Sequence, residues 1–146
     1  MGLLSALRWF SEGFEQRSGI KVKLDLDPEF GRVPRDLETA IFRIVQESLT
    51  NIHRHADSAT ATIRLAQSGD RVTLQIEDAG KGIAPEKLFQ ITSAGLSGVG
   101  LRGMRERIEN FHGRFAVTSG EEGTCIRVAI PIAASEQSET ALQGNP

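Results

Sequence analysis

Asp36-Leu-Glu-Thr-Ala-Ile-Phe-Arg-Ile-Val-Gln-Glu-Ser-Leu-Thr-Asn-Ile-His-Arg-His-Ala56 is the stretch on which the reading of the whole chain turns. Placed on a helix at about 100° per residue, Leu37, Ile41, Ile44, Val45, Ser48 and Ile52 fall in one sector about 100° wide, as a core-facing helix requires. Glu47, Asn51, Arg54 and His55 line one margin of that sector. An acid, an amide, a guanidinium and an imidazole at a buried edge differ from the solvated Lys and Glu of a purely structural helix. Ordinary rim polarity is the plain alternative, and the segments downstream weigh against it. His53 and His55 invite a metal reading. Two residues apart on a helix, however, they point about 160° away from each other and cannot share an ion. His53 is expected to face solvent and His55 to lie with Glu47 and Asn51.

The chain around this helix has 146 residues, 39% hydrophobic and 25% charged, the range of one domain with a single core. A net charge of −2 and a pI near 5.9 lack the basic field that nucleic-acid binding needs, so nucleic acid is not expected as a partner. Cys125 is the one cysteine, which rules out an intrachain disulfide and a cysteine-built zinc site. It reads as a small apolar residue in a strand. No run approaches the ~18 apolar residues of a membrane span, and the N-terminus lacks a signal-peptide pattern. A cytoplasmic location is expected, with membrane anchoring of a longer protein left open.

Leu3, Leu4, Leu7, Phe10 and Phe14 recur at helical spacing, giving a helix over 3–16 that closes near Ser18-Gly19. Because the chain opens abruptly in it, residues 1–18 are expected to be a helix or connector that forms the end of a further region of a longer protein. Ile20, Val22, Leu24 and Leu26 alternate as the inward side of a strand ended by Asp27-Pro28. Pro34 suits the first position of the long helix, where its missing N–H is not needed. Ala59–Gln67 and Arg71–Glu77 alternate around Ser68-Gly69-Asp70, an antiparallel hairpin.

That second strand runs into Asp78-Ala-Gly80-Lys-Gly82, where a Gly-x-Gly turn lets backbone approach closely to something else. Pro85–Phe89 suits one helical turn, and Thr92–Gly100 is small enough to be a mobile lid. Leu101, Met104, Ile108 and Phe111 mark a helix stopped at His112-Gly113. His112 reads as a residue favoured there by the helix dipole. Strands over 114–119 and 124–130 follow, joined through Gly120–Gly123, and 133–146 is polar, aperiodic and expected to be disordered. These elements make an α+β fold, a two-layer α/β sandwich with helices on one face of a mostly antiparallel mixed sheet. The main domain is expected over 19–132.

The chemistry sits where strands and loops meet helices. Gly98-Val-Gly100-Leu-Arg102-Gly103-Met104 stands where a loop becomes a helix, and free N–H groups there suit phosphate oxygens. No Gly-Lys-Ser or Gly-Lys-Thr follows, so it is no Walker motif, and no Rossmann strand precedes it. Asp78 beside its glycine turn suits accepting a hydrogen bond from an amino group such as adenine's; its structural alternative is a turn-stabilising Asp. Asn51 offers a neutral carbonyl oxygen, a good hard ligand for Mg²⁺. Glu47, one turn earlier, suits accepting a proton or holding a metal-bound water, and His55 suits meeting a phosphate.

Glu47-x-x-x-Asn51, Asp78-x-Gly80-x-Gly82, Gly98-x-Gly100-Leu-x-Gly103-Met and Gly123-Thr124, in this order, resemble the N box, the two glycine boxes and the closing Gly-Thr of the ATP-binding domain of sensor histidine kinases. Gln46–Ala56 and Gly100–Arg107 are similar in particular to the nitrate-sensor type. The resemblance covers about residues 3–132. It implies the Bergerat-type fold shared with gyrase, mismatch-repair and heat-shock chaperone ATPases, with ATP and Mg²⁺ as cofactors.

It further implies that Asn51 meets Mg²⁺ and that Asp78 meets the adenine amino group. Gly80, Gly82, Gly98, Gly100, Leu101 and Gly103 then fall to nucleotide and lid, and Thr124 to the adenine-side network. Glu47 becomes the general base or polarising group, and Arg54 and His55 lie near the phosphates. The implied partners are a histidine-bearing dimerisation domain, not found in this sequence, and a response regulator, in a homodimeric full-length protein. None of His53, His55 and His112 has the context of a phosphoacceptor. Two rival readings use the same fold, an anti-sigma-type serine kinase and a nucleotide-gated interaction module. The module needs only Asn51, Asp78 and the glycines, so the presence of Glu47 favours catalysis.

Overall fold

The computed structural model describes residues 2–81 and 99–132, with backbone alone for residues 56 and 99–102. The expected lid over 92–100, apart from Val99 and Gly100, the turn at 85–89 and the tail over 133–146 lie outside the described residues. Three α-helices and five strands are seen: α1 (Leu3–Ser18), β1 (Lys21–Leu26), α2 (Arg35–Asn51), β2 (Thr60–Ser68), β3 (Arg71–Asp78), α3 (Val99–Asn110), β4 (Arg114–Gly120) and β5 (Gly123–Pro131). The sheet order is β1-β2-β3-β5-β4. β1 and β2 are parallel because α2 lies between them as a crossover, and the remaining pairs are antiparallel.

Strand alternation translates directly into rows across the sheet. Leu24, Ile63, Ile76, Ile126 and Val117 stand side by side on the helix-facing side, and Leu26, Leu65, Leu74, Val128 and Phe115 form the next row. α2 covers these rows with Leu37, Ala40, Ile41, Ile44, Val45 and Leu49, all buried, while α3 adds Met104 and Ile108. Each such side chain contributes roughly 1.5–3 kcal/mol on burial. α1, expected as a connector, packs into the same core through Leu3, Leu7 and Phe14. The opposite sheet face carries Arg64, Thr73, Ala116 and Arg127, all exposed, with Arg64 bonded to Glu77 and 3.7 Å from Asp25.

Several local details differ from the periodicity. Pro34 is the N-cap, with extended ψ of 144°, so the helix starts one residue later at Arg35. The long helix is α-helical only to Asn51; Ile52–Ala56 form a π-helical turn that ends on Asp57 in left-handed conformation. The wider turn moves Arg54 and His55 off the positions that a uniform 100° step assigns them. At the end of α3 the left-handed residue is His112 (φ 62°), not Gly113.

Gly113 N donates to Ile108 O and His112 N to Glu109 O, which is a Schellman closure with His112 at its left-handed position. Gly113 is required for a different reason. A Cβ there would meet Ala129 O at 2.8 Å and the Ile108 side chain at 2.8 Å. At the β1 margin one outward backbone donor is capped: Glu15 Oε2, reaching from α1, accepts the Val22 N–H at 2.8 Å.

Candidate functional site: a polar row at the end of an apolar sheet

The helix-facing rows stay apolar until the last. There Ala61 on β2 pairs with Asp78 on β3, and Ser119 on β4 pairs with Thr124 on β5. Thr124 N–H bridges the two pairs by donating to Asp78 Oδ1 at 3.3 Å, and Gly80 N–H donates to the same oxygen at 2.9 Å. Both bonds fall on Oδ1. Among the described residues Oδ2 is therefore the oxygen available to a ligand, and two N–H donors fix the carboxylate's orientation. Gly80 itself is buried.

Close approach of two strands makes this geometry. At Gly123 (φ 128°) an added Cβ would lie 2.1 Å from Asp78 O and 3.0 Å from Asp78 Oδ1, so only glycine lets β5 begin beneath Asp78. Ser119 Oγ and Thr124 Oγ1 are 2.9 Å apart across the Glu121-Glu122 turn. Ser58, just beyond the π-helical turn, accepts the Ala79 N–H at 3.1 Å, which ties the exit of that turn to the glycine loop. Cys125, next along β5, points to the other face. Burial pushes its thiol above the ordinary value, with Arg127 opposing.

The ends of two helices carry the remaining candidate residues. Glu47 is exposed and Asn51 half-buried in the last turns of α2, with Arg54 and His55 exposed on the π-helical turn. Among the described residues no hydrogen bond or ion pair joins these four, so they share a margin rather than a network. His53 is exposed as expected, its ring edge-on to Phe14 at 6.2 Å between centroids. Ser48 Oγ lies 3.8 Å from Met104 Sδ, which seats the Glu47–Asn51 turn of α2 against the start of α3.

Gly100 and Leu101 are in the first turn of α3, where backbone N–H groups lack intrahelical partners. Gly103 follows, and a Cβ there would meet nothing within 4 Å. Gly82 and Gly98 lie outside the described residues. Sequence reasoning did not single out Ser58, Ser119 or Gly123 as site residues. Ser119 and Thr124 were legible as the two ends of a tight hairpin, and Gly123 as part of the closing Gly-Thr; nothing in the sequence marks Ser58.

A backbone turn that orients a carboxylate, an amide-bearing helix margin and a helix N-terminus are the elements of a nucleotide site. Comparison with known proteins agrees. Residues 36–134 match the family described as histidine kinase-, DNA gyrase B-, and HSP90-like ATPase, and the chain belongs to that family. Within it the resemblance is to histidine kinases. The sensor histidine kinase MctS of Rhizobium johnstonii is 31% identical over 135 residues, covering 92% of this chain and 29% of that protein.

The signal transduction histidine-protein kinase/phosphatase DegS of Brevibacillus brevis is 32% identical over 137 residues, covering 93% of this chain and 34% of that protein. The chain thus spans about a third of the length of these relatives. Among solved structures, the histidine kinase domain of the Erythrobacter litoralis EL346 blue-light activated histidine kinase superposes with a TM-score of 0.75 at 26% identity, over 94% of this chain and 64% of that one. No helix among the described residues is long and apolar enough to cross a membrane.

Proposed function

We propose that this chain is the ATP-binding catalytic domain of a sensor histidine kinase that transfers the γ-phosphoryl of ATP to a histidine on a separate dimerisation domain, for relay to a response regulator. The observation that carries the reading is Asp78, a carboxylate held by two backbone donors at the edge of an apolar wall, with one oxygen left to meet an amino group. A charged acceptor at that position favours adenine, whose exocyclic group donates, over guanine, which presents a carbonyl there. The phosphates then reach the free N–H groups of α3 and the margin of α2, with Arg54 and His55 as cationic or hydrogen-bonding groups.

A hard, neutral oxygen at Asn51 fits Mg²⁺, which takes few protein ligands and keeps phosphate and water oxygens. When bound, that ion neutralises phosphate charge; this chain's own part is to hold and orient the nucleotide. Glu47 is the group proposed to take the acceptor's proton or polarise it. Its exposure leaves it accessible to a second domain. That accessibility favours transfer over a nucleotide-gated docking module, for which Glu47 has no use. The protein is proposed to act in the cytoplasm, as part of a homodimer in its full length.

The test adds a histidine-bearing dimerisation domain from a related kinase in trans and follows phosphohistidine over time. Asn51→Ala is expected to weaken Mg·ATP binding. Glu47→Gln should leave binding near the parent's and slow transfer by on the order of 10²–10⁴. Unchanged transfer by Glu47→Gln removes Glu47 from the mechanism, and equal calorimetric affinity for ATP and GTP refutes the adenine assignment.

A further inference from the structure

We propose that Ser119 is a positioning residue that sets the hydroxyl of Thr124 and thereby the tightness with which the site holds an adenine base; the inference rests on reading this site as an ATP site. The rows behind it place Val117 and Phe115 of β4 against Ile126 and Val128 of β5. At the next helix-facing position the same strands place Ser119 against Thr124, 2.9 Å between hydroxyl oxygens. The apolar pattern therefore changes to a hydroxyl pair in the one row that contains Asp78.

The chemistry of that row explains what the pair does. An ionised Asp78 only accepts, and Oδ1 is already engaged by Gly80 and Thr124 N–H. A purine edge carries ring-nitrogen acceptors beside its amino donor, so the site needs a donor next to the carboxylate. Thr124 Oγ1 has a single proton and rotates freely unless something fixes it. Either hydroxyl can donate in this pair; the arrangement proposed has Ser119 Oγ–H donating to Thr124 Oγ1, which fills one of that oxygen's lone pairs and directs the Thr124 proton away from β4, to the ligand side. Ser119 thus acts through Thr124 without touching the base. A role confined to strand pairing predicts something else: Ser119 would affect folding stability and leave nucleotide affinity alone.

The experiment is calorimetric titration of ADP, in Mg²⁺ buffer, into the parent chain and four variants: Ser119→Ala, Ser119→Thr, Thr124→Val and the Ser119→Ala/Thr124→Val double variant, each with its thermal midpoint recorded. Loss of one neutral hydrogen bond predicts about a fivefold weaker ADP affinity for Ser119→Ala. Ser119→Thr, which keeps the hydroxyl, should bind like the parent. The double variant should bind no more weakly than Thr124→Val alone, because the proposed route from Ser119 to the base runs through the Thr124 hydroxyl. Parental affinity in Ser119→Ala, a loss in Ser119→Thr as large as in Ser119→Ala, or full additivity in the double variant overturns the proposal. Asp78→Asn is titrated beside them, and parental affinity in both Thr124→Val and Asp78→Asn refutes the ATP-site reading itself, a result that the Ser119 variants alone cannot produce.

Discussion

Gly123→Ala is the sharpest single test of how the site is built. The new methyl group would sit 2.1 Å from Asp78 O, nearly an ångström inside the 3.0 Å that real Cβ contacts keep, and 2.8 Å from Asp78 C. Those neighbours are backbone at the end of β3 and have no rotamer to escape into. The residue must also hold φ near 128°, which costs an L-residue about 1–3 kcal/mol. Overpacking adds about 1–3 kcal/mol. A thermal scan should show the midpoint lowered by on the order of 10 °C.

The strands can relax only by moving Asp78 away from Thr124, so the carboxylate leaves its place. A charge-assisted hydrogen bond to adenine is worth about 1.5–3 kcal/mol, which makes ADP affinity at least roughly tenfold weaker by calorimetry. Gly120→Ala, in the same hairpin with nothing within 4 Å of its Cβ, is the control and should bind like the parent. A Gly123→Ala protein with both parental midpoint and parental ADP affinity refutes the argument that strand proximity positions Asp78.

Gly103→Ala separates a fold role from a ligand role. Among the described residues a Cβ there meets nothing within 4 Å, so the helix should gain about 0.5–1 kcal/mol, while ADP affinity falls if bound phosphates use that space; an unchanged affinity removes Gly103 from the site. Ser11 Oγ is, among the described residues, the buried side-chain polar atom with no hydrogen-bond partner. Ser11→Ala is therefore expected to stabilise the chain by about 1 kcal/mol in urea unfolding, and a loss of stability would show that the hydroxyl is satisfied.

The layout of layers and strands was legible because burial imposes its period on the sequence. The alternation of Val72, Leu74 and Ile76 fixes which face of β3 meets the helices, and hence that Asp78, two residues on, faces the same side. Asn51 and Asp78 stood out as candidates because a hard amide and a lone carboxylate occur at element ends beside glycine turns and the helix margin. What stayed hidden depends on atoms distant in sequence. His112 rather than Gly113 takes the left-handed position because Gly113 is pressed against β5, and no local pattern announces that contact. The π-helical turn at Ile52–Ala56 is equally silent, since its residues suit an α-helix as well. Ser58 owes its place to the Ala79 N–H, which is 21 residues away.

The carboxylate of Glu15 on the Val22 N–H stands against one direction of sheet growth. A strand added at the β1 margin must displace that bond at Val22. Strand addition at the β1 margin is thereby opposed, and removing the Glu15 carboxylate would free the Val22 N–H for pairing.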